Sequence, residues 1–247
     1  MTTGLLLLHA FPLDASMWEP QVRSFGADVR VVAPDVPGFG KRSRSGGLTS
    51  MDEGADVAAE ELSAAGVDGA VVCGLSMGGY VAFSFWRRHR DRVRGLVLAN
   101  TRAGADDEAG KERRRALAAR LTEEGSGFLV ENPPPLLSAT ASQELWTRVR
   151  EIIRVQPAEG IAAASLAMAN RPDSTPDLGG IDVPTLVVTS TGDTLIPPEA
   201  TSPMAEQIPG AMLETIEGAG HLSNLEAPEE FDRFLREHLL RCGLSFG

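Results

Sequence analysis

Ala70-Val71-Val72-Cys73-Gly74-Leu75-Ser76-Met77-Gly78-Gly79 is an apolar run that breaks into glycines around a single serine. The run Ala70–Cys73 reads as a short buried strand, and the stretch Tyr80–Arg88 that follows reads as a helix. The serine therefore stands at a strand-to-helix turn. Gly74 to Gly78 spells G-x-S-x-G. That pattern alone is weakly specific, and its setting gives it meaning. Covalent catalysis by serine needs a sharp turn that lifts Oγ clear of the backbone. Glycines two residues to either side are needed because a Cβ there would collide with the tight chain path. The start of the following helix also favours negative charge developing nearby. Ser76 is thus a candidate nucleophile. A glycine-rich connection without catalysis would look the same, so the other members of a site must decide.

Outward from this segment, short apolar runs alternate with amphipathic stretches. Leu5–Leu8 ends in His-Ala-Phe-Pro, and Val29–Ala33 ends in Pro-Asp-Val-Pro-Gly-Phe-Gly. A helical pattern covers Met51–Ala65, and another apolar run is Gly95–Ala99. The alternation predicts an α/β protein with a mostly parallel sheet flanked by helices on both faces. From residue 104 to 180 the pattern changes. Asp106–Glu124 is dense in charge and alanine, Asn132–Pro135 is a break, and Glu144–Val155 and Ile161–Met168 look helical. Arg171–Gly180 reads as a linker. Strand-like runs return at Thr185–Ser190 and Met212–Ile216, and a last helix is expected over Pro228–Arg241, ended by Gly243. The expected organisation is a core of residues 1–103 and 181–247, with a helical cap of residues 104–180 inserted between sheet strands.

A base for Ser76 must come from the four histidines. His89 lies in the basic stretch Arg87–Arg92 and reads as an exposed helix end; His238 lies in the last helix and reads as a surface residue. His221, in Gly218-Ala219-Gly220-His221, follows an apolar run, at the carboxyl edge where open α/β sheets collect ligands. The third member should be a carboxylate between serine and histidine in chain order. Asp193 follows the run Thr185–Ser190. It would fix the imidazole tautomer and stabilise the imidazolium. An acid after an earlier strand would fall near Asn100–Asp107, where position 100 is Asn and Asp106 and Asp107 open a charged helix. Two backbone N–H groups should meet the oxyanion. Met77 supplies one and Phe11 the other, since Pro12 has no N–H.

Composition bounds the rest. The chain has 247 residues and a formal net charge of −11, with 5% aromatics. Such a chain is repelled by phosphate backbones and anionic membranes and offers no stacking surface, so no nucleic-acid or membrane partner is expected. Cys73 and Cys242 read as free thiols. No secretory signal and no membrane span is visible, which reads as cytoplasmic. No metal-ligand spacing and no phosphate-binding loop is present, so no metal or cofactor is expected.

The segments Leu5–Trp18, Pro34–Gly40, Val72–Gly79, Val187–Pro197 and Gly218–Phe231 resemble the α/β-hydrolase superfamily, within it the enol-lactonase, small esterase and cofactor-free haloperoxidase group. The resemblance covers nearly the whole chain and implies the α/β-hydrolase fold with a Ser76–His221–Asp193 triad. The family more often has Gly where this chain has Ala10, and a methyl there would narrow the site. The expected function is hydrolysis of a small carboxylic ester or lactone through an acyl-serine. The alternatives are a 3-oxoadipate enol-lactonase, a perhydrolase or lyase, and a ligand sensor on the same scaffold. Halide removal and epoxide opening in this fold use Asp where Ser76 stands. Within the cap, Phe128, Leu136 and Trp146 are the candidate substrate-binding residues. Arg148, Arg150 and Arg154 could anchor a carboxylate but spread around a helix, so a mainly uncharged substrate is expected.

Overall fold

The computed structural model describes residues 2–246. The chain runs β1 (Thr3–Leu8), α1 (Glu19–Phe25), β2 (Val31–Val32), α2 (Met51–Ala64), β3 (Gly69–Leu75), α3 (Met77–Arg88) and β4 (Val93–Ala99). Four helices follow: α4 (Glu108–Glu124), α5 (Gly127–Glu131), α6 (Gln143–Arg154) and α7 (Ala158–Ala169). The chain then returns through β5 (Thr185–Ser190), α8 (Pro198–Thr201), α9 (Pro203–Gln207), β6 (Met212–Ile216), α10 (Ser223–Glu226) and α11 (Pro228–Arg241).

The six strands form one sheet in the order β2-β1-β3-β4-β5-β6, and every pairing is parallel. A parallel sheet needs cover on both faces, and the composition of β1, β3 and β4 follows from that. Leu5, Leu6, Leu7 and Leu8 are all buried, as are Val71, Val72, Leu96, Val97 and Leu98. Each such side chain contributes roughly 2 kcal/mol on leaving water. The run Val29–Ala33 yields only the two-residue β2, which lies at the sheet's edge.

Helix starts follow their caps. Ser50 accepts from the Glu53 N–H while Glu53 reaches back to the Thr49 N–H, which starts α2. Asp107 caps α4 and Ser142 caps α6 in the same manner. The expected charged helix at Asp106 thus starts two residues later, because Asp107 is its cap. The stretch expected as a linker holds a short 3₁₀ turn, Thr175–Gly180. Between β4 and β5 there is no strand, and α4 packs on α7.

Two histidine expectations are corrected. His238 is buried, not on the surface, because α11 sets Phe231, Phe234, Leu235, His238 and Leu239 on one buried face. His89 is half-buried and its Nε2 lies 2.8 Å from Asp56. Burial, reinforced by Arg241, pushes His238 down to about 4 from its ordinary value near 6.5. A histidine held neutral in the fold still takes up a proton when unfolded. The unfolded state then binds more protons between pH 4 and 6.5, so stability falls as pH drops through that window. The full effect is about 3 kcal/mol. Chemical denaturation at pH 7 and pH 4.5 should show this loss, and His238→Gln should flatten the slope. A slope unchanged in the variant would remove His238 as its source.

Candidate active site

The turn at Ser76 is as tight as its glycines require. Ser76 has φ 57° and ψ −116°, a left-handed conformation that a non-glycine residue rarely adopts. A Cβ on Gly74 would lie 2.2 Å from Gly78 O, and one on Gly78 would lie 2.0 Å from Leu8 O. Two contacts hold the strained turn. The Ser76 N–H donates to Ala99 O (3.0 Å), and the Thr101 hydroxyl donates to Ser76 O (2.8 Å).

The loops after β5 and β6 bring Asp193 and His221 together. His221 is fully buried, Asp193 is 2% exposed, and His221 Nδ1 stands 2.8 Å from Asp193 Oδ2. The other oxygen, Oδ1, accepts from the N–H groups of Leu195 and Ile196, both at 2.9 Å. Asn100 donates to Oδ2 at 3.0 Å and to Ser190 Oγ at 2.7 Å, and accepts from the Ser223 hydroxyl. Four donors thus converge on one carboxylate. With Nδ1 as the donor, His221 Nε2 keeps a lone pair, and that atom is buried with no hydrogen-bond partner. Asn100, also at positive φ (45°), is a residue that sequence reasoning passed over as a missing acid. It instead holds Asp193, at the end of the neighbouring strand β5, by the 3.0 Å hydrogen bond to Oδ2.

Phe11 and Met77 flank the serine. Met77 begins α3, so its N–H has no acceptor within the helix. The loop carrying Phe11 is pinned by His9. The Val36 N–H can only donate, so His9 Nε2 accepts (3.1 Å) and Nδ1 carries the proton, facing Ala10 O at 3.1 Å. Burial lowers the His9 pKa, in keeping with this neutral form. Ala10 is fully buried and its methyl does not line the site, so it does not narrow the site directly.

A cavity of about 340 Å³ opens onto Ser76, which is 7% exposed. Its apolar lining includes Phe11, Leu117, Leu136, Met168, Leu195 and Ile196. Of the three expected substrate-binding residues, only Leu136 is there. Phe128 lies under the Arg120 guanidinium (3.8 Å to the ring centre), and Trp146 lies under that of Arg150 (5.4 Å). Both are half-buried, packed against the hydrophobic core rather than lining the cavity. Arg148, Arg150 and Arg154 do not line the cavity either, and Arg148 pairs with Glu19. The arginines at the cavity are Arg102, Arg113 and Arg114, together with Asp106. Among the described residues no cluster of His, Cys, Asp and Glu is arranged to hold a metal ion, and no helix is long and apolar enough to cross a membrane.

A serine on a strand-to-helix turn, a histidine–carboxylate pair at the same sheet edge and a helical layer above them define the architecture of α/β hydrolases. The chain matches the alpha/beta hydrolase family over residues 5–234 and belongs to it. A thermophilic esterase from Thermogutta terrifontis, solved with malate bound, is 41% identical; the match covers 98% of this chain and 92% of that one, with a TM-score of 0.92. The 3-oxoadipate enol-lactonase 1 of Acinetobacter baylyi is 29% identical over 92% of this chain and 85% of its own length. A pimeloyl-[acyl-carrier protein] methyl ester esterase of Nitrosomonas europaea is 28% identical over 93% and 94% of the two chains.

Proposed function

We propose that this chain hydrolyses small carboxylic esters or lactones through an acyl intermediate on Ser76. The observation that carries the reading is the buried Asp193–His221 pair, whose free Nε2 shares the carboxyl edge of the sheet with a strained, cavity-facing serine. His221 Nε2 takes the Ser76 proton as Oγ attacks the acyl carbon. Asp193 holds the ring in the Nδ1–H tautomer and faces the imidazolium as it forms. The N–H groups of Phe11 and Met77 meet the oxyanion. The leaving alcohol receives the proton from His221. Water, deprotonated by the same Nε2, then attacks the acyl-serine, and the acid is released as that proton passes from His221 to the departing Ser76 Oγ. In a lactone the leaving hydroxyl stays attached to the acyl chain, and the same steps open the ring. The kinship with esterases and an enol-lactonase supports both substrate forms.

A chromogenic short-chain ester should give a burst of alcohol equal to the enzyme present, followed by steady turnover. With chemistry limiting, kcat/KM should rise as pH passes upward through the histidine range, because the base must be neutral. A rate flat from pH 5 to 8 would rule out a histidine base. A panel of esters and lactones compared by kcat/KM decides between the two substrate forms.

A further inference from the structure

Resting on the hydrolase reading above, we infer that Arg102, Arg113 and Arg114 form a carboxylate-binding subsite in the Ser76 cavity, so that the substrate is an ester or lactone bearing a free carboxylate. Sequence alone favours a mainly uncharged substrate; the subsite inferred here departs from that expectation. The chain as a whole is strongly acidic, at −11, yet three guanidinium groups line this one cavity. The sole carboxylate among the cavity-lining residues is Asp106, whose side chain is 3% exposed. It accepts from Arg102, from Arg114 Nε and from Arg171 Nη2, the last at 3.0 Å and from behind the cavity. Burial would raise the Asp106 pKa, but the Arg171 and Arg114 hydrogen bonds outweigh it and hold the carboxyl well below the usual range. Asp106 is therefore fully charged, and it still offsets only one of the four guanidinium groups.

Donors remain over. Arg102 Nε is buried with no partner. Arg114 Nη1 meets only the Met168 thioether at 3.4 Å, a weak acceptor. Arg113 pairs with no described residue. Arg102 and Arg114 are half-buried and Arg113 is exposed; guanidinium groups with spare N–H favour an anion, and their fork suits a planar carboxylate. The cavity is small, about 340 Å³, so one compact molecule can present its acyl carbon to Ser76 and its carboxylate to the arginines. The apolar wall of Leu117, Leu136 and Met168 fits a short methylene chain between them.

The test pairs monoethyl glutarate with ethyl valerate, two ethyl esters with five-carbon acyl chains that differ in the distal carboxylate. Wild-type enzyme should prefer the glutarate half-ester by about tenfold or more in kcat/KM, chiefly through KM, and the preference should shrink with added salt. Arg113→Gln, at an exposed position, should lower the ratio of the two kcat/KM values by about tenfold, and Arg113→Lys should restore part of it. Glutarate should bind the Ser76→Ala protein by calorimetry and bind more weakly when Arg113→Gln is added. That measurement needs no turnover and keeps the subsite testable by itself. Equal kcat/KM for the two esters, or a preference unmoved by both Arg113→Gln and Arg114→Gln, overturns the subsite and leaves the hydrolase reading intact. Hydrolysis that survives Ser76→Ala overturns the hydrolase reading instead.

Discussion

Ser76→Ala should reduce kcat by about 10⁴- to 10⁶-fold while the protein stays folded. The hydroxyl is the attacking atom in the proposed mechanism, and alanine offers no nucleophile in its place. Alanine has the same Cβ as serine, so the left-handed φ of 57° costs it no more than it costs serine. The two backbone anchors of the turn, to Ala99 O and from the Thr101 hydroxyl, use main-chain atoms of residue 76 and survive the change. Thermal unfolding should therefore move little, and the loss should appear in turnover alone. Retention of more than about a tenth of the activity would remove Ser76 from the role.

Asp193→Asn should cost about 10⁴-fold in kcat, for a reason visible in the hydrogen bonds. The Leu195 and Ile196 N–H groups would hold the amide oxygen at the Oδ1 position. The amide NH₂ would then occupy the Oδ2 position, facing the donors of His221 and Asn100. His221 relieves that clash by moving its proton to Nε2, and a protonated Nε2 cannot take the Ser76 proton. Asp106→Asn acts differently. It strips the charge from a carboxylate that three arginines surround, and should destabilise the fold by about 3 kcal/mol. Its loss in kcat should be the smaller of the two. Measuring kcat and unfolding midpoint for both variants checks the ranking; a larger kcat loss for Asp106→Asn would move the acid away from Asp193.

The catalytic candidates were legible because each follows from local rules. Gly74 and Gly78 announce a turn that only a few side chains tolerate, and Asp193 and His221 follow apolar runs in the order that the chemistry requires. The parallel sheet was legible for the same reason, through apolar runs such as Leu5–Leu8. The arginine cluster was not, because Arg102, Asp106, Arg114 and Arg171 meet only in the folded chain, and Arg171 is far from the others in sequence. A signal did exist. Arg113-Arg114-Arg115 are consecutive on a helix, where three neighbours point in different directions, so they cannot all face solvent on a helix packed against another. His238 had a clearer one, since its spacing from Phe231, Phe234 and Leu235 places it on the apolar stripe of α11. Phe128 and Trp146 are apolar residues at irregular or helical spacing, and such spacing does not say which of them turns toward the cavity.

The Ser174 N–H donates to Ala103 O at 3.0 Å, and Arg171 Nη2 donates to Gly104 O at 2.9 Å. The chain thus leaves the sheet layer and rejoins it at two points already in contact. For a segment looped out between touching ends, each doubling of its length adds only about 0.6 kcal/mol of closure cost. The strands on either side, β4 and β5, keep their register from Leu96 against Thr185 to Ala99 against Val188. Changes confined to the helices of this segment leave that register in place, whereas residues 136–138 are tied to the His221 loop, through Leu222 N–H to Leu136 O at 2.8 Å and Ser138 N–H to Glu226 Oε2 at 3.0 Å. Such a joint lets the helical layer vary in length while the strand frame beneath it is kept.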